Sequence, residues 1–171
     1  MKENEILSEM VYDPQEGALR FKGVRYLLIR PETLASLQKA VESEMGSARA
    51  AETFFAGGFT GGQLSGQKYK EALGLSDREA VAFMCRMGGE IGWGNFQLVA
   101  LDTQAQRLVV EVKHSPFAEA YGQGETAACQ LIRGVLGGLG DGIFGGPVEA
   151  RETQCLSWGD SVCRFEIQKL A

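Results

Sequence analysis

Residues 148–170, VEARETQCLSWGDSVCRFEIQKL, decide how this chain must fold. The runs 148–156 and 161–170 alternate apolar and polar residues as strands do, and Ser157, Trp158, Gly159 and Asp160 between them are turn formers. With Gly159 at the apex, Cys155 and Cys163 become cross-strand partners on one face, their Cβ atoms about 5 Å apart. Two sulfurs so placed can grip one ion. Glu152 precedes Cys155 by three residues, so a regular strand would turn it to the opposite face. To join the sulfurs it needs its longer side chain or a β-bulge.

Working outward, Cys129 lies on a helix expected to pack across this hairpin. Cys129, Glu152, Cys155 and Cys163 then make a complete tetrahedral ligand set, three thiolates and a carboxylate. Such a set saturates zinc and leaves no position for water, the mark of a structural site and not a catalytic one. A disulfide or buried free thiols are the alternatives. The opening residues, MKENEILSEM, hold three acids and no apolar run. That argues against a secretory leader and for a cytoplasmic, reducing setting where disulfides are disfavoured.

Composition narrows the function classes. The chain has 171 residues, 44% hydrophobic and 23% charged, enough for a sizeable core, and it is expected to form a single domain over 1–171. Net charge −5 and a pI near 5.0 give no footprint for nucleic acid. No run of uncharged apolar residues is long enough to span a bilayer. A single histidine, His114, makes a catalytic triad or multi-histidine metal site improbable, and beside Ser115 at a strand end it reads as a surface residue. Cys85, among apolar neighbours, reads as a buried thiol.

The remaining pattern gives two short strands in 17–29 and a helix opened by Pro31 and closed near Met45. A longer helix follows over 48–73, then a third begun by Ser76 with acidic Asp77 and Glu79. Residues 95–102 and 107–113 form a hairpin, 115–125 a turn-rich connection, and 126–138 a fourth helix carrying Cys129. The order predicts an α+β domain: an antiparallel sheet with four helices packed on one side.

These residues resemble the 4-vinyl reductase domain family. The likeness rests on Ser115-Pro116-Phe117, Cys129 with Gly134, Gly137 and Gly138 on its helix, Glu152-Thr153-Gln154-Cys155, Gly159-Asp160 and Cys163-Arg164-Phe165. It covers about residues 20–168 and is most specific in the last 55. The family occurs alone and as the sensory domain of aromatic-responsive transcription activators, and it is similar in fold to subunits of the vesicle-tethering (TRAPP) complex. In the phenol-sensing members the matching cysteine, glutamate and two cysteines bind zinc. Those members also hold the phenolic oxygen with a histidine and a tryptophan. Here the helix over 76–93 has no histidine, and Val112 stands near the tryptophan position, which speaks against phenol as the ligand.

The resemblance implies binding of a small apolar or aromatic molecule, with a tetrapyrrole or lipid as larger candidates, between the helices and the sheet. Phe55, Phe59, Phe83, Met87, Trp93, Phe96 and Phe117 are the expected lining, each of which could equally be ordinary core. Gly57, Gly58, Gly61 and Gly62 cost about 1 kcal/mol each in mid-helix, so they ask for close helix approach, ligand space or a dimer contact. The sensory members also imply a homodimer. The alternative function is a tetrapyrrole vinyl-reduction accessory protein or reductase subunit, and the third a structural scaffold. The glycine run 137–142 sits after a helix and before a strand, the reverse of a dinucleotide loop, and no catalytic residues stand out, so a binding module is favoured over an enzyme.

Overall fold

The computed structural model describes residues 3–170. A short helix α1 (Glu5–Ser8) leads into β1 (Val11–Asp13), β2 (Ala18–Phe21) and β3 (Val24–Tyr26), which pair in that order as a small antiparallel sheet. Then come α2 (Pro31–Met45), α3 (Ser47–Leu73), α4 (Asp77–Glu90), β4 (Asn95–Asp102), β5 (Arg107–Lys113), α5 (Pro116–Tyr121), α6 (Gln130–Phe144), β6 (Val148–Gln154) and β7 (Cys163–Lys169). The last four strands form a second antiparallel sheet in the order β4-β5-β7-β6. The architecture is the expected α+β class, with the helices on one side of the main sheet. The separate three-stranded sheet, with β1 and α1, goes beyond the single sheet anticipated.

Local chemistry sets the helix ends. Pro31 occupies the first turn of α2, where its missing N–H is no loss. Ser76 and Glu79 close a reciprocal capping box on α4, each side chain bonding the other's backbone. Two segments depart from expectation. Residues 116–121 form α5 instead of a turn, started by the Ser115-Pro116 pair. The glycine run 137–142 lies inside α6, which continues to Phe144.

Packing explains why α6 tolerates its glycines. A Cβ at Gly134 would sit 2.2 Å from Phe55 O, and one at Gly138 would sit 2.1 Å from Phe59 O. On the facing helix, Gly58 and Gly62 would place theirs 2.3 Å and 2.1 Å from Leu131 O and Val135 O. Four glycines therefore let the backbones of α3 and α6 touch. A Cβ at Gly140 would meet Ile167 of the sheet at 2.6 Å, so α6 is clasped from both sides. Tertiary contact overrides the poor helix propensity of about 1 kcal/mol per glycine.

The main core lies between α6, α4 and the sheet, with Val110, Val112, Ile132, Phe165 and Ile167 fully buried. The sheet's other face is polar, and cross-strand pairs Arg164–Glu111 and Arg107–Glu166 lie along it. A second cluster joins Ile6, Phe21, Tyr69, Phe83 and Met87, fastening the N-terminal sheet to α3 and α4.

Candidate metal centre and apolar cleft

Cys129, Glu152, Cys155 and Cys163 converge at the end of the sheet nearest the start of α6, their ligand atoms all within 4.8 Å of one another. Cys129 stands at the N-cap of α6. Cys163 opens β7 opposite Val112, and Cys155 leaves β6 just beyond the pair Gln154–Arg164. The ladder shifts register between Glu152 and Gln154. That bulge at Thr153 brings Glu152 onto the cysteine face, as a two-residue side-chain period otherwise forbids.

The geometry fits an ion. Sγ atoms of Cys129 and Cys163 are 3.5 Å apart, and those of Cys163 and Cys155 are 3.9 Å apart. Zinc–sulfur bonds near 2.3 Å in a tetrahedron demand edges of about 3.8 Å. All three cysteines are free, and none is exposed. Glu152 accepts a hydrogen bond from the Cys129 amide through Oε2 at 3.2 Å, while buried Oε1 has no partner among the described residues. An orphaned carboxylate oxygen facing three sulfurs is the atom a cation would satisfy.

Electrostatics point the same way. Burial, then the adjoining Cys155 sulfur, pushes the Glu152 carboxyl up to about 9. Hydrogen bonding to Cys155, then to Cys163, pushes the Cys129 thiol well above its ordinary range, while the thiols of Cys129 and Cys163 pull Cys155 down. Four acidic groups this close cannot all ionise without a compensating cation, and a bound divalent ion would release the remaining protons. Outer contacts that the sequence reading missed hold the sulfurs. Ser115 Oγ lies 3.2 Å from Cys129 Sγ and Ser157 Oγ lies 3.0 Å from Cys155 Sγ. The Leu156 amide donates to Cys163 Sγ at 3.4 Å. Such partners orient ligands, and only the Ser115-Pro116 and Cys155-x-Ser157 spacings hinted at them.

A second feature lies across α6 from the metal ligands. A cleft of about 140 Å³ is lined by Tyr26, Gly61, Ser65, Met84, Met87, Trp93, Phe96 and the α6 residues Ile132, Val135, Leu136 and Leu139, with Gly88 and Ile91. Three of the seven expected lining residues, Met87, Trp93 and Phe96, are here. The other four pack elsewhere. Phe55 and Phe59 pack against each other with tilted rings, the Arg133 guanidinium 4.3 Å from the Phe55 ring and Gly137 beside it. Phe83 joins Phe21 and Tyr69 in the N-terminal cluster, and Phe117 meets the edge of Trp93 at 5.1 Å. Helical phase could not separate these faces, because α3 and α4 bury apolar residues on more than one side. The glycines divide too. Gly58 and Gly62 form the crossing, Gly61 walls the cleft, and Gly57 faces open space. A larger groove of about 600 Å³ beside the second half of α3 sets Gln63, Gln67, Lys70 and Glu71 among the apolar Leu64, Leu75, Leu139 and Ile143. His114 is exposed, 3.6 Å from Glu119. Cys85 is buried, and burial pushes its thiol up to about 12.

The chain belongs to the family of activators of aromatic catabolism, whose model matches residues 5–104, and the 4-vinyl reductase domain matches residues 108–169. Among individual proteins, the phenol regulator MopR of Acinetobacter guillouiae is 25% identical over 171 residues, 94% of this chain and 30% of its own length. The chain thus spans under a third of that regulator. The phenol-responsive sensory domain of the transcription activator PoxR, solved with phenol, superposes with a TM-score of 0.82 at 19% identity, over 95% of this chain and 86% of that one. A trafficking protein particle complex subunit 3 from Naegleria fowleri, covalently bound to palmitic acid, gives 0.59 at 15% identity over 81% and 93%. A vinyl-4-reductase family protein from Methanocaldococcus jannaschii gives 0.50 at 18% identity over 69% and 68%. These likenesses establish the fold.

Proposed function

We propose that this chain is a non-enzymatic sensory domain for a small, single-ring apolar molecule, and that a structural zinc ion staples its C-terminal end. The observation that carries the sensory reading is the apolar cleft between α4, α6 and the main sheet in a chain of this family. Its 140 Å³ matches the scale at which an apolar cavity takes up benzene, about 150 Å³. A four-ring tetrapyrrole or a long acyl chain does not fit that space, which disfavours the vinyl-reduction reading. Phenol, the effector named for the PoxR domain, lacks a histidine partner here, since no histidine lines the cleft.

Zinc is the metal that three thiolates and one carboxylate suit best, with all four positions filled by Cys129, Glu152, Cys155 and Cys163. It would supply no chemistry beyond fixing the hairpin and the start of α6. Because α6 also walls the cleft, the staple would hold one wall of the ligand site in place. We read residues 1–171 as one domain, its core over about 20–168, in a reducing, cytoplasmic setting, and no helix among the described residues is long and apolar enough to cross a membrane. We also read the chain as a homodimer. Leu27, Leu28 and Ile29, between β3 and α2, are 75%, 82% and 47% exposed, a contiguous apolar surface that favours burial against a second copy.

Diffraction from crystals soaked in bromobenzene tests the cleft. The expected result is anomalous bromine scattering between Met84, Trp93, Phe96 and Leu136. Bromine found only in the open groove beside Gln67, or only at the surface, would overturn the assignment.

A further inference from the structure

The cleft has one polar end. Tyr26 of β3 and Tyr69 of α3 point their hydroxyls at each other in hydrogen-bond contact, and Tyr26 Oη lies 3.4 Å from Met87 Sδ. Tyr69 is 1% exposed, and among the described residues its hydroxyl has no other partner. Two hydroxyls carry two protons and share one hydrogen bond. The second proton is left with a thioether, a weak acceptor.

Ser65 and Trp93 add a hydroxyl and an indole N–H elsewhere on the wall. The lining holds no carboxylate, amide, imidazole or cationic side chain. A charged ligand group would therefore have no counter-ion. A neutral acceptor atom on the ligand would take the surplus proton of Tyr26.

Resting on the single-ring reading above, we propose that Tyr26, held in place by Tyr69, is the specificity-determining residue of the cleft. It selects a single-ring molecule bearing an uncharged acceptor, a carbonyl or ether oxygen, over the bare hydrocarbon.

Titration calorimetry with ethylbenzene and acetophenone, two molecules of closely similar shape, tests this on the unmodified protein. One added hydrogen bond predicts acetophenone binding about tenfold more tightly. Tyr26→Phe should remove that preference, lowering acetophenone affinity about tenfold while ethylbenzene stays within about twofold. Tyr69→Phe frees the Tyr26 hydroxyl to turn and should lower acetophenone affinity while ethylbenzene stays within about twofold; a packing role alone would lower both alike. Equal affinities for the two rings in the unmodified protein, or parallel losses for both in Tyr26→Phe, would overturn the assignment while leaving the single-ring reading intact. Binding of neither ring near its solubility limit would overturn both. Should Tyr26→Phe fold poorly, the comparison in the unmodified protein still decides.

Discussion

The start of α6 and its middle are built on opposite plans. At its N-terminal end, Cys129 meets Glu152, Cys155 and Cys163 in a site whose sulfurs are fully buried and are positioned by a strand bulge and by backbone and hydroxyl partners. Along its middle, Ile132, Val135, Leu136 and Leu139 face a cleft whose opposite wall includes Gly61, with no atom within 4 Å of where a Cβ would lie. The first region is closely packed with polar partners for its sulfurs. The second keeps space.

That contrast breaks most sharply at the cysteines. Cys155→Ser removes a ligand and should destabilise the protein by on the order of 4 kcal/mol or more, as loss of a structural metal does, with zinc content falling in elemental analysis. Cys85→Ser only buries a hydroxyl and should cost about 1–3 kcal/mol in a denaturant titration, with zinc unchanged. Similar losses for the two variants would erase the distinction.

At the helix crossing, Gly134→Ala drives a Cβ to 2.2 Å from Phe55 O and should cost about 3 kcal/mol. Gly58→Leu belongs to the same class, because Gly58 faces the α6 backbone and not the cleft. Gly61→Leu should behave differently. It projects into the cleft, so thermal stability should hold or rise by about 1 kcal/mol from improved helix propensity, while binding of single-ring compounds is lost. If Gly61→Leu destabilises as Gly58→Leu does, the two faces of α3 are not distinct.

The mildest expectation concerns thiol chemistry. With its thiol at about 12 and its side chain buried, Cys85 carries almost no thiolate at pH 8 and should resist alkylation until the protein unfolds. Deprotonation favours the unfolded chain here. The raised pKa therefore adds stability that is fully present below the ordinary thiol value of 9.0 and is lost as pH rises towards 12. Mass spectrometry of alkylated native protein checks it.

How much of this the sequence disclosed follows the same division. The convergence of Cys129, Glu152, Cys155 and Cys163 was legible because cysteine spacing and a hairpin turn carry their own chemistry, and even the need for a bulge followed from Glu152 lying an odd number of residues before Cys155. Helices α2, α3 and α4 were legible through Pro31, the Ser76–Glu79 box and apolar spacing. The glycine run of α6 misled, because glycine weakens an isolated helix and only contact with Phe55, Phe59 and Ile167 shows why it is helical here. The cleft was half legible. Phenylalanine on a helix says nothing about which neighbour it faces, and Tyr26 reaches the site from a separate sheet that no local pattern connects to α4.

Trp93 permits the most direct test, because it lines the cleft while the other tryptophan, Trp158, is 42% exposed beyond it. In a Trp158→Phe variant, fluorescence reports Trp93 alone. A saturable change on titration with ethylbenzene, abolished by adding Gly61→Leu with zinc content unaltered, is the result expected of a single-ring binding cleft. A signal that stays flat to the solubility limit, or a saturable one that survives Gly61→Leu, would contradict it.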